Sequence, residues 1–399
     1  MRRIDLRTAQ AAHSHTIRNI NRQIVLNYVR EREPISRAEI AREMGLQRST
    51  ISTIVDQLQA DGLIEEVGAG VSTGGRRPTL LRLRTVGAVA IGVDITPSRT
   101  TIATSDLAGR VLQQEQFATN PDYPEMLSRV IERVRALSRS KKGMIESVGM
   151  SVPGLVDPET GRVIYVPYFK WRDLDIAQQI SSATGLSVTI DNDANAAALA
   201  ELWFGRPEVL ETRDFIMVLV AEGVGTGIIF DGQIYRGEQG AAGEFGHMII
   251  GAGSAVACSC GNYDCWEAFS SERAAVARYL KLSGRTEDHG HTICLRQLVS
   301  YALDGEEAAR AALSETAHFL GIGISNLIVG LSPEAVVVGG AIARAWPLIA
   351  ESLREPVEKS IRRGLPSARI IASTLGEQPT LMGALSLVLA NKFASASAA

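Results

Sequence analysis

Between Gly246 and Glu267 the chain places His247, Cys258, Cys260 and Cys265, one imidazole and three thiols within nineteen residues. These four donors make a complete tetrahedral set for a structural zinc ion, with bonds of about 2.0–2.3 Å. Meeting one ion pulls four side chains of a loop-rich segment onto a single small sphere. Any fold built around it must present residues 246–267 as a closed knot. The fourth cysteine, Cys294, stands apart and reads as a buried core residue on a helix. Clustered thiols fit metal binding in a reducing compartment better than a disulfide framework, so the expected location is the cytoplasm.

The chain has 399 residues, 45% of them hydrophobic, enough for two or three domains with sizeable cores. Its start, M-R-R-I-D-L-R-T-A-Q, lacks the apolar block of a signal peptide. No apolar run reaches eighteen residues, so no membrane span is expected. Charge is divided unevenly. Residues 1–85 carry fourteen arginines against nine carboxylates, a surplus of five, while the whole chain has a net charge of −3. A basic head on an acidic body suggests that the head alone meets a polyanion.

Residues 1–85 are expected to form a winged helix-turn-helix. Ile17, Ile20, Ile24, Val25 and Tyr28 recur at helical spacing over 16–31, and Pro34 breaks that helix. The segment S-R-A-E from Ser36 to Glu39 has the form of a capping box opening a second helix that runs to about Met44. Gly45 supplies a tight turn. A third helix begins near Arg48, turns Ile51, Ile54, Val55 and Leu58 inward, and ends at Gly62. In such a unit the N-terminal residues of the second helix-turn-helix element point into the major groove of double-stranded DNA. Here they are Gln47, Arg48, Ser49, Thr50, Ser52 and Thr53, all able to meet base edges or phosphates. A helix used only for packing has no need of that polar face. Beyond the strand L-I-E-E-V, a glycine-rich wing carries Arg76 and Arg77, suited to the phosphate backbone or the minor groove. An ordinary solvated hairpin is the alternative for that wing.

From Val86 the composition changes. V-G-A-V-A-I-G-V-D-I reads as a buried strand. Further strand-like runs lie near 100–105, 110–117, 146–152, 187–191, 214–220, 226–230, 335–338 and 369–373. Helical stretches near 123–140, 173–183, 194–203, 269–282, 293–302, 306–330, 342–362 and 380–391 alternate with them. The pattern is α/β, with halves expected at 86–192 and 193–391. Gly223, Gly225 and Gly227 could bring backbone amides to a phosphate; a plain β-hairpin accounts for them equally well. Gly339 and Gly340 fit close helix–strand packing. In I-D-N-D-A-N-A-A-A-L-A-E, Asp191 and Asp193 lie where a strand meets an alanine-rich helix. On that segment alone, a capping aspartate is favoured over a base.

As a set, these residues resemble the ROK family of repressors, open reading frames and kinases. The run from Val220 to His247 is similar to the family's signature segment. C-S-C-G-N-Y-D-C-W-E at 258–267 is similar to its zinc motif, and D-N-D-A-N at 191–195 to its sugar-side carboxylate motif. The resemblance implies an actin-like, sugar-kinase pair of α/β domains around a cleft, with a structural zinc. A winged helix at the N-terminus marks the family's sugar-responsive repressors. Residue by residue, it implies that Asn192 and Asp193 bind sugar hydroxyls, with Asp193 at the position of the kinases' base. Glu244, His247 and Glu267 would hold the remaining hydroxyls. One ring nitrogen of His247 would bind zinc while the other faces the sugar, the metal fixing the ring's tautomer and direction.

Two departures from the family pattern matter. The kinases carry a D-x-G-G-T-type loop after the first strand, whereas Asp94 to Thr100 here read D-I-T-P-S-R-T. Thr96 and Pro97 replace the paired glycines, and Pro97 has no backbone donor. Phosphoryl transfer depends on positioning and charge stabilisation, so ATP and Mg²⁺ are not expected as cofactors. The kinases also have an asparagine near Tyr168, so one sugar contact is changed. The reading is a non-enzymatic, sugar-responsive transcriptional regulator of carbohydrate metabolism, a repressor. It would bind a two-fold related operator as a homodimer or tetramer. The alternatives are an active ATP-dependent, glucokinase-like sugar kinase with a DNA-binding head, and a regulator whose body binds a protein effector.

Overall fold

The expected capping box forms. The Ser36 side chain accepts from the Glu39 amide, and the Glu39 carboxylate accepts from the Ser36 amide at 2.9 Å. Two open donors are thereby satisfied, a gain of about 1 kcal/mol that fixes where the helix starts. The computed structural model describes residues 14–70, 77–85, 89–140, 145, 147–210, 212–285, 293–360 and 367–393. The head runs α1 (Ser14–Arg32), β1 (Ile35–Ser36), α2 (Arg37–Met44), α3 (Arg48–Ala60), β2 (Ile64–Ala69) and β3 (Thr79–Leu83). Gly45 sits at φ +66°, the left-handed cap that ends α2 and reverses the chain into α3. The wing strands pair antiparallel in the order β1-β3-β2.

Ile51, Ile54, Val55 and Leu58 of α3 are buried as expected. The buried face of α1 is rotated from the expected one. Val25, Leu26 and Val29 are buried, Tyr28 is half-buried, and Ile24 is exposed. The reason is a second neighbour: Leu385, Leu389 and Phe393, near the C-terminal end of the described chain, belong to the same apolar cluster as the head.

Two five-stranded sheets make the body, and both have the same wiring. In the first, β4 (Ala90–Ile95), β5 (Arg99–Ser105) and β6 (Val111–Ala118) form an antiparallel meander. Next, α4 (Tyr123–Ser140) leads to β7 (Ser147–Val152), parallel to β4. A small separate sheet of β8 (Leu155–Asp157), β9 (Arg162–Val166) and β10 (Trp171–Leu174) follows. Through α5 (Ile176–Thr184) the chain reaches β11 (Ser187–Asn192), and the first sheet has the order β11-β7-β4-β5-β6. The small sheet was not expected; Trp171–Leu174 pairs with β9, so the helix expected from 173 starts only at Ile176.

The connection to the second sheet is α6 (Asp193–Phe204) and α7 (Pro207–Leu210). A second meander follows: β12 (Phe215–Val220), β13 (Val224–Phe230) and β14 (Gln233–Ile234). Four helices come next: α8 (Trp266–Ser270), α9 (Glu272–Ser283), α10 (Leu295–Leu303) and α11 (Glu307–Leu331). They lead to β15 (Ala335–Gly339); α12 (Trp346–Ser360) then precedes β16 (Arg369–Ala372). The order β14-β13-β12-β15-β16 repeats that of the first sheet, the doubled arrangement of an actin-like fold. β12 and β15 are buried along their whole length, which is why they read as unbroken apolar runs. Among the described residues, α11 is the one helix long and apolar enough to cross a membrane; its apolar side chains lie in the core with α9, α10 and α12.

The last helix, α13 (Pro379–Phe393), returns to the first sheet. A Cβ on Gly149 of β7 would lie 1.8 Å from the Ala384 carbonyl oxygen, and one on Gly92 of β4 would lie 2.8 Å from the Leu385 side chain. Only glycine at these points lets the helix sit so close. On its other side α13 packs along α6, and α6 packs on β12 and β13. A Cβ on Gly227 would come within 2.4 Å of the Ala194 carbonyl oxygen. The alanine-rich run is therefore the thin helix of a pair wedged between the sheets.

Candidate functional site

The two sheets face each other across a cleft of about 710 Å³. The end of β11 and the start of α6 bring Asn192 and Asp193 to it. The short helical turn Glu244–His247 brings Glu244 and His247, and α8 brings Glu267. All five sugar-site candidates line this one cleft.

Asn192, not an aspartate, caps α6. Its side-chain oxygen accepts from the Ala194 and Asn195 amides at 2.9 and 3.2 Å, and its amide donates to the Gly154 carbonyl at 3.0 Å. The strand runs one residue further than the sequence suggested, so the cap falls on Asn192 and Asp193 becomes the first helical residue. Asp191 is buried and accepts from the Arg236 guanidinium at 2.7 Å, away from any capping role. Burial raises the Asp193 carboxyl to about 7, with Asp94, Glu222 and Glu244 adding negative potential against the pull of the Ala194 amide. Asp94 is pushed to about 6, chiefly by burial, although Ser151 and Thr380 donate to it at 3.1 and 2.8 Å.

The segment that departs from the kinase pattern is a tight turn between β4 and β5. The Thr96 amide donates to the Arg99 carbonyl at 2.9 Å, and the Arg99 amide to the Thr96 hydroxyl at 3.1 Å. Two amides are thus spent inside the turn, and Pro97 has none. From its tip the Ser98 hydroxyl donates to Glu222 of the opposite sheet's hairpin at 3.0 Å, bridging the cleft. Gly225 and Gly227 lie beneath α6: a Cβ on Gly225 would meet the Ala194 methyl at 2.8 Å. A Cβ on Gly223 would meet Glu267 and the Tyr168 hydroxyl at 2.4 and 2.7 Å. Helix packing and wall packing account for these three glycines. Tyr168 lines the cleft, and burial raises its hydroxyl well above the ordinary value.

The four metal-ligand candidates come together. Their donor atoms all lie within 4.8 Å of one another, and the Cys260 and Cys265 sulfurs are 3.6 Å apart. Bonds of about 2.3 Å at tetrahedral angles place sulfurs roughly 3.8 Å apart, so the cluster has the dimensions of a zinc site. Burial and the adjacent Cys260 and Cys258 thiols push Cys265 up to about 12, a repulsion that a divalent cation at the centre would reverse. His247 points two ways. Its Nδ1 is 3.1 Å from the Cys258 sulfur, and its Nε2 is 3.5 Å from a Glu244 oxygen in the cleft. Glu267 braces the knot against the cleft, accepting from the Ser259 amide at 2.7 Å and the Val224 amide at 3.2 Å. Cys294 is not a core residue of a helix. It is half-buried, caps the start of α10 and lines the cleft.

In the head, Gln47 precedes α3 without a side-chain capping bond, and Gln47, Arg48, Ser49, Thr50 and Thr53 are exposed. Ser52 is half-buried beneath them, its carbonyl accepting from Arg37. Arg77 is exposed at the foot of the wing, and Arg76 lies outside the described residues.

One contact had no counterpart in the sequence reading. The Arg30 guanidinium of α1 lies 4.5 Å from the centre of the Trp203 ring and 4.9 Å from that of Phe393. The Asn27 amide donates to the Phe393 carbonyl at 2.7 Å. Trp203 is the last residue but one of α6, which starts at Asp193 in the cleft. Phe393 ends α13, which starts beside the Thr380–Asp94 hydrogen bond. The available signal was a Trp-Phe pair closing an otherwise alanine-rich helix.

Comparison with known proteins identifies the family and the fold. The ROK family profile matches residues 90–391, and that of the MarR family matches residues 24–76. A xylose repressor of Caldicellulosiruptor bescii is 32% identical over 394 residues, covering 95% of this chain and 98% of the relative. A crystal structure of a ROK family transcriptional regulator, a homolog of the Escherichia coli MLC protein, superposes with a TM-score of 0.77 at 25% identity, over 95% of this chain and 98% of its own. A ROK family glucokinase from Streptomyces griseus, solved with glucose and AMPPNP, has a TM-score of 0.68 at 28% identity, over 75% of this chain and 98% of its own. The glucokinase match extends over three quarters of this chain, whereas the regulator matches 95% of it. The chain belongs to the ROK family, and it is built as one of that family's DNA-binding regulators.

Proposed function

We propose that the cleft binds a sugar and that this binding controls the grip of the head on operator DNA, making the chain a sugar-responsive repressor. One observation carries the reading: α6 begins at Asp193 in the cleft and carries Trp203, its last residue but one, under Arg30 of the head. A sugar held by Asn192, Asp193, Glu244 and His247 acts on the start of that helix, and the far end transmits the change to α1. Glu267 serves mainly as a brace, since both its oxygens are engaged by backbone amides. Zinc would be held by His247, Cys258, Cys260 and Cys265, and its role is to fix the imidazole so that Nε2 stays directed at the cleft. The head reads DNA with Gln47, Arg48, Ser49, Thr50, Ser52 and Thr53, and the wing adds Arg76 and Arg77. Two heads of a homodimer meet a two-fold related site. The setting is the cytoplasm, where operator and reduced thiols are both found.

A ligand shifts DNA affinity only by binding one state of the protein better than the other. A change of ten- to a hundredfold requires about 1.4–3 kcal/mol, within reach of a few charge-assisted hydrogen bonds. Fluorescence anisotropy on DNA from upstream of the gene, titrated with sugars in the absence of ATP, tests this reading. Release by one sugar is expected. DNA binding that no sugar alters would overturn it.

A second reading has its own support. Asp193, raised toward neutrality, suits a general base, and the glucokinase relative shares the body fold. Against phosphoryl transfer stands the Thr96–Arg99 turn, whose amides are spent and whose tip is bridged to Glu222. A coupled ADP-release assay over the same sugars decides it: turnover abolished by Asp193→Asn would establish a kinase.

A further inference from the structure

Acidic side chains dominate the cleft wall. Asp94, Asp193, Glu222, Glu244, Glu267, Glu272 and Glu377 all line it, and Glu272 stands beside Glu222, its amide donating to the Ala221 carbonyl at 2.9 Å. They are close enough to act on one another: Asp94, Glu222 and Glu244 all bear on Asp193, and Glu222 bears on both Asp94 and Glu272. Among the described lining residues only Arg99 and Arg296 carry a guanidinium. Arg296 is paired with Glu377 at 2.8 Å, a carboxylate that Arg344 also holds at 2.7 Å. Behind the wall, Arg273 is turned to Glu267 at 3.4 Å and to the Glu222 carbonyl at 3.3 Å. Arg99 acts as a counter-charge to buried Asp94. Two helix starts at the cleft, the other common kind of anion receptor, are engaged: at α10 the Leu295 amide donates to Glu272 at 2.7 Å. The Ala194 and Asn195 amides of α6 already donate to the Asn192 side chain.

A phosphate monoester brings nearly two negative charges and needs several aimed donors to replace its water. Among its described lining residues this cleft offers two guanidiniums, one of them already held by Glu377, against seven carboxylates. A polyol has the opposite requirement, since its hydroxyls donate and carboxylates are strong acceptors. We infer that the effector is an uncharged sugar and that the same cleft rejects that sugar's phosphate ester. The inference rests on the sugar-sensing reading and narrows it to one chemical class.

Isothermal titration of the full-length, zinc-replete protein tests it. The probes are neutral pentoses, hexoses and disaccharides, each monosaccharide paired with its phosphate monoester, with operator release followed in parallel. The expected result is one free sugar that binds and releases DNA, with its ester at least a hundredfold weaker. The gap should narrow in 0.5 M salt, because repulsion is screened, and in Glu222→Gln, because one of the opposing charges is gone. A phosphate ester that binds as tightly as the free sugar, or tighter, overturns the inference while leaving sugar sensing intact. Loss of that ester's affinity in Arg99→Gln would show that Arg99 is the anion receptor. Binding by neither class, with DNA binding intact, overturns sugar sensing itself and this inference with it.

Discussion

The Arg30 guanidinium lies 4.5 Å above the Trp203 ring, so the last residue but one of the helix that starts in the cleft touches the first helix of the head. Burial lowers the Arg30 pKa, and Glu31 at 2.9 Å compensates in part. A partly desolvated cation over an indole contributes about 1–2 kcal/mol. That is comparable to the coupling a sugar switch requires.

Replacing Arg30 with Ala should therefore separate the two functions. Sugar affinity should stay within about threefold of the parent, whereas sugar should release DNA at least tenfold less effectively. Parallel calorimetry and anisotropy measure the two. Full release in the variant would show that the signal takes another route.

Arg48→Ala addresses the head alone. Arg48 is exposed at the first turn of α3, and a side chain reading bases or phosphates there is worth about 1–3 kcal/mol. Operator affinity should fall by roughly ten- to a hundredfold, with sugar binding and melting temperature unchanged. Equal loss of sugar binding would contradict separate roles for head and body.

Asp193 gives a pH dependence with a definite sign. Its folded pKa, about 7, lies above its ordinary value of 3.8. The folded state therefore holds the proton more tightly than the unfolded chain does. This favourable contribution is complete below about pH 4 and disappears as pH rises toward 7. Asp193→Asn removes the pH-dependent loss. Denaturant titrations should find it more stable than the parent by about 2 kcal/mol at pH 8 and near parity at pH 4, allowing for a half-buried side chain. The same variant should bind sugar at least tenfold more weakly at pH 8. An unchanged difference between the two pH values would contradict the shifted carboxyl.

Metal removal is expected to act at a distance. Elemental analysis should give one zinc per chain, and Cys260→Ser should lower that occupancy. Because His247 belongs to both the knot and the cleft, the metal-poor variant should lose sugar affinity at least tenfold while retaining operator binding. Sugar response that survives complete removal of zinc would confine the metal to a structural loop.

The parts legible in the sequence are those governed by local rules. Ser36, Glu39 and Gly45 announce the ends of α2 through capping chemistry, and α3 shows its buried face through its period. The knot was legible because four donors lie close in the chain. The cap of α6 was misassigned because Asn192 and Asp193 are equally good capping residues, and only the length of β11 decides between them. Cys294 looked like a core residue because a thiol is apolar; nothing local tells that it faces a cleft formed with the opposite sheet. The rotation of α1 has the most distant cause, since Asn27 and Phe393 are 366 positions apart.

That separation also sets an order in time. The head is synthesised first, but the cluster holding Val25, Leu26 and Val29 includes Leu385, Leu389 and Phe393, which are synthesised last. A ribosome adding roughly 5–20 residues per second takes about 15–60 s to travel from α3 to α13. During that interval the recognition helix exists without its finished core. Operator binding is therefore among the last properties the nascent chain acquires, and a chain ending before α13 would lack a completed head despite carrying every residue that reads DNA.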